Sequence, residues 1–314
     1  MIKSPVCELL KIQHPIFCGA MAYISDGNLA GAVSEAGGFG IIACIGHTAD
    51  TLRAEIHKAR QITQKPFGVN LMLQSPYIES YLDVIIEEHV AGVTTGAGNP
   101  VPYMPRLKEA GIRVFPVVPN VRLARRMEEN GADGVVAEGM EAGGHIGEMT
   151  TMALIPQVVD AVTIPVIAAG GIGDGRGLAA ALMLGAAGVQ MGTRFMVATE
   201  CNIHQGAKQR IVTAIDTDTL HLGKGTSHSM RVLKSETTEQ VARMEMEGAD
   251  PKAITELQKG KFQLAVQDGD MVRGSLPSGQ ISGLVKKEES AADIVNDVIS
   301  GAEDMLKGGS GWIR

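Results

Sequence analysis

Glu138-Gly139-Met140-Glu141-Ala142-Gly143-Gly144-His145-Ile146-Gly147 carries an imidazole between glycines, on backbone that can approach a bound molecule closely. A side chain that titrates near neutrality can give or take a proton there, so His145 is the candidate catalytic residue. Glu138 and Glu141 could pair on a metal, but with no second histidine nearby, structural or ligand-orienting hydrogen bonding is the better reading, and no metal is expected. Two glycine-rich stretches, Ala168-Ala169-Gly170-Gly171-Ile172-Gly173-Asp174-Gly175 and Gln190-Met191-Gly192-Thr193-Arg194, expose backbone N–H groups that suit a phosphate, with tight turns as the plainer alternative. Asn70 stands in the apolar run Phe67-Gly68-Val69-Asn70-Leu71-Met72 and needs a ligand or a buried network. Together with Gly19-Ala20-Met21 it suits the edge of a planar heteroaromatic ring, which wants donors and acceptors in one line.

These residues fall at the ends of short, continuous apolar runs at 15–19, 39–44, 67–73, 92–95, 113–118, 134–138, 166–169 and 188–191. Continuous apolar runs predict strands buried on both faces. Helical stretches fit between them at 29–36, 51–62, 78–88, 103–110, 121–130, 152–161 and 176–184, and four of these end on Gly37, Gly111, Gly131 and Gly185. The likeness of Gly131-Ala132-Asp133-Gly134-Val135-Val136 to Gly185-Ala186-Ala187-Gly188-Val189-Gln190 points to a repeated strand-helix unit. Eight units without a first-strand G-x-G-x-x-G favour a (β/α)₈ TIM barrel over an open doubly wound sheet, which puts the site at the carboxyl ends of the strands. After the eighth strand the rhythm breaks. Residues 1–198 and 284–314 are expected to form the barrel and 199–283 a small inserted cap, with a charged helix at 237–247, a Gly223-Lys224-Gly225-Thr226-Ser227-His228 loop and the last barrel helix at 291–306.

Lys and Arg number 28 against 35 Asp and Glu, a net charge of -7, which argues against a nucleic-acid footprint. The amino terminus reads as no signal peptide and no apolar run spans a bilayer, so a cytoplasmic protein is expected. Cys7, Cys18, Cys44 and Cys201 contain no Cys-x-x-Cys pair and read as small core residues. Glycine at 39 of 314 residues, beside few aromatics, predicts glycine-shaped ligand loops in place of stacking platforms.

Pro15-Ile16-Phe17-Cys18-Gly19-Ala20-Met21, Phe67-Gly68-Val69-Asn70, Thr94-Thr95-Gly96-Ala97-Gly98-Asn99-Pro100, the Glu138 to His145 stretch, both glycine loops and Gly279-Gln280-Ile281-Ser282-Gly283-Leu284-Val285 together resemble the flavin-dependent bacterial enoyl-acyl carrier protein reductase II. Its relatives include nitronate monooxygenase, formerly 2-nitropropane dioxygenase. The resemblance implies an FMN barrel that reduces trans-2-enoyl thioesters with NADH or NADPH, and it allows a monovalent cation without an identifiable ligand set. It places the phosphate on Gly170, Gly171, Gly192 and Thr193, and the ring near Ala20, Met21, Asn70, Glu138 and Gln190, with His145 as the catalytic histidine. Ala20 departs from the family's usual Gly-Gly-Met. Glu138 is typical of the reductases, where the oxygenases more often show Gln-Gly, so the resemblance favours the reductase. It further implies a homodimer and an acyl carrier protein as partner. The basic candidates for docking that acidic partner are Lys208 with Arg210, or Arg231 with Lys234, in the insertion, ahead of Arg122, Arg125 and Arg126 on the fifth helix.

Overall fold

The computed structural model describes residues 2–226 and 229–312. The strands in chain order are β1 (Ile16–Cys18), β2 (Ile41–Ala43), β3 (Gly68–Met72), β4 (Gly92–Gly96), β5 (Arg113–Val118), β6 (Val135–Glu138), β7 (Gly144–His145), β8 (Val166–Ala169), β9 (Gly188–Met191), β10 (Thr219–Leu222) and β11 (Met230–Leu233). Eight of them pair in parallel in the order β1-β9-β8-β6-β5-β4-β3-β2. The ends of that series meet at Phe39, whose N–H donates to Ile16 O at 2.8 Å while its carbonyl accepts from Cys18 N at 3.0 Å. The result is the (β/α)₈ barrel expected from the unbroken apolar runs, whose residues are buried both toward the lumen and toward the helices.

The lumen is closed low down by aromatic packing, with the Phe17 ring 5.0 Å from Phe39 and 5.6 Å from Phe115. Beneath it lies the helix Pro5–Leu10, whose Val6 and Leu10 join the same cluster. This plug was not anticipated, because a six-residue helix shows too little periodicity to be read. Side-chain caps start the outer helices: Asp26 accepts from Leu29 N–H, Asn120 from Leu123 N–H and Asp174 from Arg176 N–H. All four anticipated glycine helix ends have positive φ, between 77° and 94°. The last helix, Ala291–Gly308, lies on Gly175–Met183, where a Cβ at Gly175 would come within 2.4 Å of Ala302 N.

Between residues 199 and 283 lie the helix Gln205–Val212, the antiparallel β10–β11 hairpin and the helices Glu236–Met246, Pro251–Gln258 and Lys261–Val266. The hairpin does not stand alone. β11 pairs antiparallel with β7, matching Met230 to His145 and Arg231 to Gly144. Ser227 and His228 of the expected 223–228 loop lie outside the described residues. No helix among the described residues is long and apolar enough to cross a membrane.

Candidate active site

The sequence-predicted residues gather at the carboxyl ends of the strands, where barrels carry their sites. Gln190 pairs in register with Phe17 of β1 and Ala169 of β8, and is almost fully buried. Gly19 lies against it, since a Cβ there would sit 3.3 Å from Gln190 Cγ. The following turn, with Ala20 and Met21, is held by Ser25: its Oγ accepts from Met21 N at 3.0 Å and donates to Gly19 O at 3.2 Å. Met21 in turn faces Gly192, where a Cβ would meet the Met21 side chain, Sδ at 3.5 Å and Cγ at 3.8 Å. A side chain at Gly192 would therefore meet only ordinary contact with Met21.

Opposite, Asn70 of β3 donates from Nδ2 to Thr94 Oγ1 of β4 at 2.9 Å. That bond fixes the amide and leaves its oxygen and second N–H for a ligand. Glu138 closes β6 beside Ala169, keeps partial solvent access, and has its carboxyl pushed up by burial to about 7. Burial without a cation favours the neutral acid. It can therefore donate as well as accept near neutral pH.

The loop from β6 to β7 is pinned at several points. Glu141 accepts from Thr151 N at 2.9 Å and from Thr151 Oγ1 at 2.9 Å, while Thr151 Oγ1 also lies 2.9 Å from Gly170 O. This is the structural role preferred for Glu141 over metal ligation. Gly170 and Gly171 both have positive φ, 90° and 72°, and Gly170 packs so closely that a Cβ would be 2.6 Å from Gly139 O. Gly171 is exposed beside Glu141. Thr193 Oγ1 accepts from Gly279 N at 2.9 Å, so its own proton is available to an acceptor above Gly192. The helix after the first glycine loop offers no free amino terminus, because the Asp174 carboxylate occupies it.

His145 is exposed on β7, held as an edge strand by the inserted hairpin. Arg231 anchors that hairpin from behind, donating from Nε to Met140 O at 3.0 Å and from Nη1 to Thr219 Oγ1 at 3.1 Å. Burial lowers its pKa and the nearby Glu141 carboxylate opposes that effect. Sequence reasoning placed Arg231 among docking residues, yet it is buried and serves this internal anchor. Lys208 likewise fails as a surface cation: it is buried and its Nζ donates to Ala198 O at 2.7 Å. Arg210 is already matched by Asp218 at 2.9 Å. Ser25, Thr151 and Ser278 were not singled out from sequence. Their hydroxyls brace strand ends and turns, except Ser278 Oγ, which is buried without a hydrogen-bond partner among the described residues; the Ser278 backbone packs against Gly143.

Fold and site together define a (β/α)₈-barrel enzyme whose groups converge at the carboxyl-end mouth. The chain belongs to the nitronate monooxygenase family, whose profile matches residues 3–81 and 76–301, and it is accordingly an oxidoreductase. It is 46% identical to FabK from Thermotoga maritima, with a TM-score of 0.96 and coverage of 100% of both chains. Nitroalkane oxidase from Streptomyces ansochromogenes is 26% identical, with a TM-score of 0.85 over 96% of this chain and 99% of that one. An octahydro-indene-carboxyl-CoA dehydrogenase of Mycobacterium tuberculosis is 32% identical over 100% of this chain and 99% of its own. A protein of Staphylococcus aureus named as a probable nitronate monooxygenase is 30% identical over 97% and 99%.

Proposed function

We propose that the protein is an FMN-dependent reductase of trans-2-enoyl thioesters, using NADH or NADPH and accepting the thioester from an acyl carrier protein. The full-length likeness to FabK at 46% identity carries this reading. A relative named for a carboxyl-CoA substrate supports a thioester as the natural ligand. The residues fit the cofactor: the space at Gly192 that a side chain would fill, the Thr193 hydroxyl and the amides of Gly170 and Gly171 would hold its phosphate. Ala20, Met21, Asn70, Glu138 and Gln190 would border the ring.

The chemistry that FMN held there would supply is hydride transfer from the reduced nicotinamide to the β-carbon of the enoyl thioester. Negative charge then develops on the thioester oxygen and must be met by a proton. His145, at the rim on a braced strand, donates that proton directly or through water, so one hydride and one proton saturate the double bond. Neutral Glu138 and the Asn70 amide fixed by Thr94 would orient the ring through hydrogen bonds. The β7–β11 pairing braces the backbone that carries His145.

A nitronate monooxygenase is the second reading, favoured by the family's name and by the staphylococcal relative. There His145 removes the acidic proton α to the nitro group. Glu138, the residue that the resemblance associates with reductases, weighs for the first reading. Incubation with crotonyl-CoA and reduced nicotinamide tests it: butyryl-CoA by mass spectrometry is expected, and no butyryl-CoA from a protein that consumes oxygen with a nitronate in the absence of nicotinamide would overturn it.

A further inference from the structure

The helix Val121–Glu129 begins just after β5 ends, at the carboxyl-end rim of the barrel. Its Ala124 and Met127 are buried against the barrel. Arg122, Arg125 and Arg126, spaced i, i+3 and i+4, therefore share the opposite face, and all three are exposed. None of them forms an ion pair among the described residues, whereas Arg53, Arg60, Arg106, Arg113, Arg176, Arg194, and Arg210 each do. Three adjacent unmatched cations on a chain of net charge -7 are a local exception. Their place is also specific. Gly147, two residues beyond His145, presses on Pro119 ahead of this helix, where a Cβ would come within 2.9 Å of Pro119 Cβ. Arg122 thus stands beside the His145 side of the mouth, and the other two lie about 5 Å farther down the helix.

We propose that Arg122, Arg125 and Arg126 form the docking surface for a small acidic carrier protein that presents the enoyl thioester to the mouth. The proposal rests on the reductase reading above. Guanidinium forks match carboxylates in pairs, and a stripe on one helix face can engage an acidic helix along its length. Steering by such a patch acts on association and weakens with salt. Of the candidates in the insertion, Lys208 and Arg231 are buried and Arg210 is matched by Asp218, which leaves Lys234 without a basic neighbour from that set.

The test compares flavin-loaded wild type with the triple variants Arg122→Glu/Arg125→Glu/Arg126→Glu and Arg122→Gln/Arg125→Gln/Arg126→Gln. Substrates are crotonyl-acyl carrier protein and the uncharged crotonyl N-acetylcysteamine thioester, from low to physiological salt. Charge reversal is expected to lower kcat/KM for the carrier-bound substrate roughly tenfold or more at low salt, the neutral variant less, with a shallower salt dependence in both. The uncharged thioester should be turned over within about twofold of wild type, which also reports that the variants fold. Equal losses on both substrates, or none on either, overturn the docking surface. So does loss of binding to a nucleic acid with carrier kinetics unchanged. Wild type that reduces the small thioester but ignores the carrier-bound one also refutes it, while failure on both substrates refutes the reductase reading first.

Discussion

Replacing Glu138 by Gln should remove a pH-dependent penalty from the apoprotein. Burial raises the Glu138 carboxyl from 4.5 to about 7, so the folded chain holds that proton more tightly than the unfolded chain. Stability from this group is fully present below about pH 4.5 and is lost as the pH rises toward 7. At about 1.4 kcal/mol per tenfold change in proton affinity, the ionised carboxylate costs at most about 3 kcal/mol above neutrality, and the partial solvent access of Glu138 trims that figure. Gln has nearly the same shape and no charge to desolvate. Glu138→Gln should therefore match wild type near pH 4.5 and exceed its Tm by roughly 5–10 °C at pH 8, using about 2–4 °C per kcal/mol. Differential scanning calorimetry of flavin-free protein across that range makes the comparison, and the difference between the two curves isolates this residue from other titrating groups. Two curves separated by a constant offset would refute the assignment of a buried, proton-holding carboxyl at the end of β6.

Gly192→Val should leave the apoprotein Tm near wild type, since its Cβ makes only ordinary contact with the flexible Met21 side chain, at 3.5 Å from Sδ, yet weaken FMN binding roughly 100-fold by filling the proposed phosphate space. Equilibrium titration reads the affinity, and full flavin occupancy would exclude that space as the cradle. Gly171→Ala, by contrast, should also lower Tm, because φ of 72° costs a side-chain-bearing residue about 1–2 kcal/mol. His145→Ala should keep flavin and lose turnover by roughly 10² or more. Near-normal turnover in that variant would remove the imidazole from the chemistry.

The barrel was legible because its signals are local. Runs such as Ile41, Ile42 and Ala43 need only their own composition to read as strands buried on two faces, and the glycine helix ends follow from backbone preference. The same locality placed Gln190, Asn70 and the glycine loops at the carboxyl end of the barrel. Non-local features were missed. Gly144–His145 looks like loop, and becomes a strand only through pairing with Met230 and Arg231 far along the chain. Lys208 reads as a surface cation on a polar helix, but tertiary packing buries it against the Ala198 carbonyl. Arg231 is buried as well, so two of the insertion's four candidate cations are withdrawn from the surface, whereas the exposure of the arginines at 122, 125 and 126 follows from the helix periodicity of 121–129. Glu138 was recognisable as a strand-end carboxylate, whereas its retained proton depends on how neighbouring strands enclose it.

Anaerobic reduction of the bound flavin by reduced nicotinamide, followed by stopped-flow mixing with crotonyl-CoA or with a nitronate, tests the proposed reaction most directly. The account predicts that the enoyl thioester reoxidises the flavin at a rate sufficient for turnover and that the nitronate leaves it reduced. Flavin that stays reduced with crotonyl-CoA, in a protein that oxidises nitronate once oxygen is admitted, would contradict it.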